Sequence, residues 1–252
     1  MNEANLTAIA SKLNSYATSA DLLKDIKKAS PPLEKELRTY FRANDLMDKK
    51  LPKFVATKKN TVVFKDHPES TLELDPTAGT MIVTWKGKQV TLKDTMSLKD
   101  IESAINTFGE STKSSFLSLF MNEAHALIFI PYLLFGAVSA YGLFGVAKKS
   151  AFEKEMKHLK DSCDSFDGGN ISEIVEHYNK LSEANMKVCL AGDSFIFKGY
   201  SKEGCSTLKV AKQCFKNYID SELATNDSSR SGSSTWIYTR STDEYVPSSS
   251  AR

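Results

Sequence analysis

The stretch DSCDSFDGGNISE sets Asp161, Asp164, Asp167 and Glu173 around Gly168 and Gly169. Carboxylates grouped at a glycine turn are what a calcium ion needs, but in a helix-flanked calcium loop the turn glycine decides which positions supply ligands. With Gly168 in that role, Cys163 falls on the first ligand position and Ile174 on the last; with Gly169, Phe166 falls on the third. Neither register holds the ion, and a capped interhelical loop is expected instead. Glu123 and His125 lie two apart, so on a helix their side chains diverge by about 200° and cannot act as one acid–base pair. His67, His158 and His177 have no ligand-like or triad-like neighbours.

The cysteines number four, Cys163, Cys189, Cys205 and Cys214, without a C-x-x-C or H-x-x-x-H spacing, which removes the short paired ligands of structural zinc. No Walker loop, dinucleotide-binding glycine fingerprint or G-x-S-x-G elbow occurs. No catalytic residue, cofactor or metal is therefore assigned. Two readings of the thiols stay open: disulfides of an oxidising compartment, or reduced and buried small residues. Cys214 shares a helical face with Ala211, Phe215, Tyr218 and Ile219, while Cys205 and Cys214 lie on opposite faces of one helix and do not pair with each other.

Those groups must be carried by a chain of 252 residues, long enough for a core without metals or cross-links. Its 33 basic and 31 acidic residues give a formal net charge of +2, far from the excess of a dedicated nucleic-acid binder. Nucleic acid is not an expected partner. A mean hydropathy of -0.32 confines membrane character to one segment. The amino-terminal stretch has neither a basic region nor an apolar run of a cleavable signal peptide.

Residues 124–147 form the one segment that suits a bilayer: 24 residues without Asp, Glu, Lys or Arg. A helix of about 20 apolar residues crosses the hydrocarbon layer. Eleven of the side chains are Leu, Ile, Phe or Val, and at about -0.3 to -0.6 kcal/mol each they favour insertion by on the order of 5 kcal/mol. The competing reading is a buried central helix of a soluble bundle, which is ordinarily shorter or polar along one edge. A transmembrane helix is expected. Gly136, Ser139, Ala140 and Ala147 project from one side of it, and the small-xxx-small spacing of Gly136 and Ala140 offers a helix-association face for a second copy.

Sidedness receives conflicting signals. Lys148, Lys149, Lys154, Lys157 and Lys160 follow the segment and only Lys113 precedes it closely, which places the carboxyl side in the cytoplasm. Exporting the long amino-terminal region without a leader argues the reverse, and the cysteines, all beyond residue 147, side with that argument. A cytoplasmic amino terminus is expected.

The remaining pattern is α+β. Residues 1–96 read as an amino-terminal domain of two or three helices, with Ser30 and Pro31 opening one of them, on a small antiparallel sheet built from NTVVF, TLELD, TMIVTW and QVTL. Residues 97–123 read as a juxtamembrane helix begun by a Ser97–Asp100 capping box and running through Phe116, Leu117 and Phe120. Residues 148–224 form a helical carboxyl-terminal domain: Phe152, Met156, Leu159 and Cys163 share one face, Ile174, Val175, Tyr178 and Leu181 the next, and an extended SFIFKGY precedes the last helix. Residues 225–252 are Ser-rich and read as a disordered tail.

Such a chain is expected to be a non-enzymatic, single-pass membrane protein, an adaptor, scaffold or assembly factor. Its partners would be the lipid bilayer, other proteins and its own copies through the association face. A second reading is a secreted effector or pore-forming factor that inserts its apolar segment into a foreign membrane; a third is a membrane-attached enzyme. The second differs from the first by a form that stays dispersed in water until it meets lipid.

Overall fold

Asn5 opens helix α1 (Leu6–Ser15) because its side-chain oxygen accepts from the Ala8 N–H at 2.8 Å, meeting one of the donors a helix start leaves unpaired. Leu6, Ile9, Ala10 and Leu13 follow at helical spacing and are buried. Helix α2 (Ser19–Ala29) starts where Asp21 accepts from the N–H and hydroxyl of Thr18, and Pro31 sits at the first position of α3 (Pro31–Ala43). The amino-terminal region thus holds three helices.

The computed structural model describes residues 5–113, 123–164, 170–229 and 236–250, and within them the side chains except those of 108–113, 123–133, 164, 225–229 and 250. The chain divides into two compact units, Met1–Ala151 with Gly192–Gly199, and Phe152–Ala191 with Tyr200–Arg252. The division falls a few residues beyond the expected boundary at 147, and Gly192–Gly199 returns to the first unit.

In the first unit a five-stranded antiparallel meander runs in the order β1 (Phe54–Lys58), β2 (Thr61–Phe64), β3 (His67–Asp75), β4 (Thr80–Trp85), β5 (Lys88–Lys93). The first of these strands was not among those expected. Alternation sends Val62, Phe64, Leu72, Leu74, Met81, Val83 and Leu92 to a buried face. The edge at β1 is occupied by α1: Asn14 accepts from the Phe54 N–H at 2.9 Å and donates to the Phe54 carbonyl at 2.7 Å, and the Thr7 hydroxyl donates to the Lys58 and Lys59 carbonyls. Strand β5 carries lysines at both ends, which discourages pairing with another chain. The Ser97–Asp100 capping box forms as expected, with Asp100 N–H donating to Ser97 Oγ at 3.1 Å and Ser97 N–H to Asp100 Oδ2 at 3.1 Å, and opens α4 (Leu98–Lys113). Residues 116, 117 and 120 lie outside the described residues.

Helix α5 (Glu123–Asp164) contributes to both units. The second unit continues with α6 (Ile171–Ala184), a π-helical turn (Asn185–Cys189) and α7 (Lys202–Ser229). Asn170 caps α6 by accepting from the Ser172 N–H at 3.0 Å. Ile174, Val175, Tyr178 and Leu181 of α6 share a core with Phe152 and Met156 of α5 and with Leu208, Ala211, Phe215 and Ile219 of α7. The expected disordered tail requires correction: β6 (Trp236–Thr239) and β7 (Glu244–Pro247) form a hairpin whose Tyr245 is buried in that core. The SFIFKGY stretch is not extended either; its start is a tight turn in which the Lys198 N–H donates to the Ser194 carbonyl at 2.9 Å.

Because one amide side chain satisfies both backbone groups of Phe54, Asn14→Ala is expected to destabilise the first unit by about 1–3 kcal/mol, read as a lowered urea midpoint with unchanged slope.

Candidate functional site

The residues singled out for membrane contact and association lie in α5, and nearly all the described side chains of its apolar part, residues 134–147, are enclosed by the chain itself. Leu134, Phe135, Ala137, Val138, Ala140, Tyr141, Leu143, Phe144 and Ala147 are all buried, as is the hydroxyl-bearing Ser139. A Cβ added at Gly136 would lie 2.6 Å from Phe64 Cε1 and 3.3 Å from Phe54 Cζ, so the helix meets the sheet at a residue with no side chain. A Cβ at Gly142 would lie 2.9 Å from Leu37 Cδ1 and 3.6 Å from Ile26 Cδ1, where α3 and α2 approach. Phe135 meets the ring of Phe41 edge-on at 5.3 Å.

The residues expected to form an association face are all buried. Gly136, Ser139, Ala140 and Ala147 are inside the first unit, and at Gly136 the close approach is made by Phe64 and Phe54 of the chain's own strands. Among the described residues no helix is long and apolar enough to cross a membrane. The side chains of residues 124–133, the amino-terminal part of the expected span, lie outside the described set.

Polar contacts fix the end of this segment. Lys148 Nζ lies 2.8 Å from Asp94 Oδ2 and 5.1 Å from the Phe144 ring. Asp94 is further held by its N–H, which donates to the Gly79 carbonyl at 2.8 Å, and by its carbonyl, which accepts from Ser194 Oγ at 2.6 Å. Burial, and then the charge of Asp94, push the Tyr141 phenol upward; it stays neutral, with its hydroxyl 3.4 Å from the Gly79 carbonyl. The first of the expected lysine group is thus an internal ion-pair partner.

In the second unit the four cysteines pair as Cys163–Cys214, with Cα atoms 6.4 Å apart, and Cys189–Cys205, 5.8 Å apart. Closing loops of 51 and 16 residues restricts the unfolded chain by about 4 and about 3 kcal/mol on the chain-entropy model. Cys205 and Cys214 take separate partners, in keeping with their opposite faces on α7.

A polar cluster joins the carboxyl-terminal hairpin to the helices, and composition gave no hint of it. Asp243 accepts from Tyr178 Oη at 2.6 Å and Tyr238 Oη at 2.7 Å and pairs with Lys212. Lys216 bonds Asp220 at 2.8 Å and stands 4.2 Å above the Tyr238 ring, and Tyr245 Oη donates to Asp220. Asn179 repeats the arrangement of Asn14: it accepts from the Tyr245 N–H and donates to the Tyr245 carbonyl, both at 2.9 Å. Partial burial works to raise the Asp243 carboxyl, but the bonds from Lys212, Tyr178 and Tyr238 outweigh it and hold the group at about 2. Burial and the Asp243 contact raise Tyr178. Neither group changes charge near neutrality, so the cluster fastens the hairpin rather than moving protons.

Other candidates are dispersed. His67 Nδ1 is 3.5 Å from Glu69 Oε1, and His177 rests edge-on at Phe215. Among the described residues no three His, Cys, Asp or Glu side chains gather as a metal site; the side chains of Glu123 and His125 are outside that set. No family model, curated protein or solved structure matches the chain.

Gly136→Ala is expected to cost about 1–3 kcal/mol by overpacking against Phe64, measured by chemical denaturation. Since Asp243 sits below its ordinary 3.8, its stabilising contribution is complete above that value and is lost as the pH falls toward about 2. Tyrosine fluorescence should report hairpin release over that interval, and Asp243→Asn should remove the pH dependence.

Proposed function

We propose that this protein is a non-catalytic factor of an oxidising compartment that keeps its apolar helix inside its own fold in water and yields it to a bilayer it meets. The observation that carries this reading is the enclosure of residues 134–147 by α2, α3 and the β1–β2 strands. A permanent tether has no reason to build such a covering, because lipid tails solvate Leu, Phe and Val as well as a protein core does. The charge-free run at 124–147 supplies enough apolar length to enter hydrocarbon once uncovered. Two disulfides favour an oxidising setting, since cytosolic thiols are kept reduced.

The adaptor reading, with an obligate anchor, makes the opposite demand on solubility. Purified without detergent, the full chain is expected to sediment as a dispersed monomer. On addition of vesicles of phosphatidylglycerol and phosphatidylcholine it should float with them, and an environment-sensitive dye at Val138→Cys should shift to the blue. Aggregation in the absence of detergent would return the chain to the anchored class. A dispersed protein that leaves the vesicles untouched would remove membrane action altogether.

A further inference from the structure

The segment Gly192–Gly199 belongs to the first unit, although the chain on both sides of it belongs to the second. Ser194, Phe195, Ile196 and Phe197 are all buried. The Phe195 N–H donates to the Met96 carbonyl at 2.8 Å, and Ser194 Oγ donates to the Asp94 carbonyl at 2.6 Å. Ile196 Cα lies 3.5 Å from where a Cβ of Gly145 would stand, so the segment seats directly on α5. Lys148 Nζ, paired with Asp94, lies 5.9 Å from the Phe197 ring. These contacts cover the carboxyl-terminal part of the apolar stretch.

Cys189 and Cys205 flank this segment and are bonded to each other. Cys189 closes a π-helical turn and Cys205 stands in the first turn of α7; helix termini and short irregular turns are the first elements to fray. Both cysteines are half-buried, and Leu190 beside the first is largely exposed, so neither end of the bond is sealed in the core. Cys163–Cys214, by contrast, links two long helices within the second unit and closes a loop of 51 residues around the same segment, a far looser constraint on it than the 16-residue ring of Cys189–Cys205.

We propose that the Cys189–Cys205 disulfide is a redox-sensitive clasp that keeps Gly192–Gly199 seated on α5, and that its reduction by a dithiol lets the segment leave and α5 loosen. In the reaction a thiolate of the dithiol attacks one sulfur of the bond. The first cysteine leaves as a thiolate, and the second thiol of the reductant then attacks the mixed disulfide and expels the other cysteine, so that two cysteine thiols and one oxidised dithiol result. Two electrons and two protons pass to the protein. Opening the ring raises the conformational freedom of the unseated segment and leaves the seated one unchanged, which lowers the seated population. As the control of a bilayer-delivered helix this inference rests on the proposed function; as a property of the covering it does not.

The test is hydrogen–deuterium exchange of the full chain in lipid-free buffer, comparing the oxidised protein, the protein in dithiothreitol, and the pairs C189S/C205S and C163S/C214S. Exchange in 134–147 and 192–199 should quicken about tenfold in C189S/C205S, because the helices at either end already restrict part of the loop. In C163S/C214S the same peptides should keep their protection. Unchanged exchange in C189S/C205S, or equal loosening in both pairs, overturns the clasp. Should C189S/C205S fail to fold, the wild type titrated with dithiothreitol decides: alkylation mapping must show Cys189–Cys205 opening in step with exchange at 134–147, and opening without that change overturns it. A vesicle-flotation arm separates the two ideas. Loosening without flotation upholds the clasp and sinks the membrane reading, and flotation that ignores dithiothreitol sinks the clasp as its control.

Discussion

An apolar helix surface as wide as that of residues 134–147 cannot face water, and the first unit is organised around covering it. Its sides are met by different elements: the sheet at Gly136, α2 and α3 at Gly142 and Phe135, the returning segment at Gly145. The glycines allow neighbours to approach the helix backbone itself, so the covering groups pack at van der Waals distance rather than across side-chain bulk. Asp94 and Lys148 then close the end. Desolvating that pair is costly unless its remaining groups are bonded, and the backbone bonds from Asp94 to Gly79 and from Ser194 to Asp94 supply part of that need.

The second unit solves a different problem. Three helical segments and one hairpin give it a smaller core, and a two-stranded hairpin is marginal in water on its own. Cross-links and a polar clasp compensate. Asp243 gathers two phenols and an ammonium group on one carboxylate, and Asn179 pairs with Tyr245 as a neighbouring strand would. Nearly every polar group in that junction thus has a partner among the described residues, which is the condition for such a network to stabilise rather than strain a core.

Much of this architecture was legible in the chain. Pro31 and the Ser97–Asp100 box marked helix starts, period-two alternation marked β2 to β5, and the apolar faces of α6 and α7 were those found buried. Strand β1 escaped because FVATK buries only Phe54 and so carries no alternation. The carboxyl-terminal hairpin escaped because serines flanking it dominate the composition, although WIYT and EYVP around a polar turn hold the aromatic and β-branched residues strands favour. The apolar run satisfies a bilayer and an internal core equally, because hydropathy and length do not distinguish the two. The discriminating signal is Gly136 opposite Phe64, a pairing distant in sequence that no local pattern contains.

The discontinuity of the first unit carries a consequence for biosynthesis. Residues after Ala151 complete it, since Phe195, Ile196 and Phe197 arrive only with Gly192–Gly199. Vectorial translation delivers domains in order, and an uninterrupted amino-terminal one matures while the ribosome is still at work on the next. Here the nascent chain must wait with part of α5 bare, a window in which chaperones or a membrane at the exit site compete for it before the polypeptide can finish its own interior.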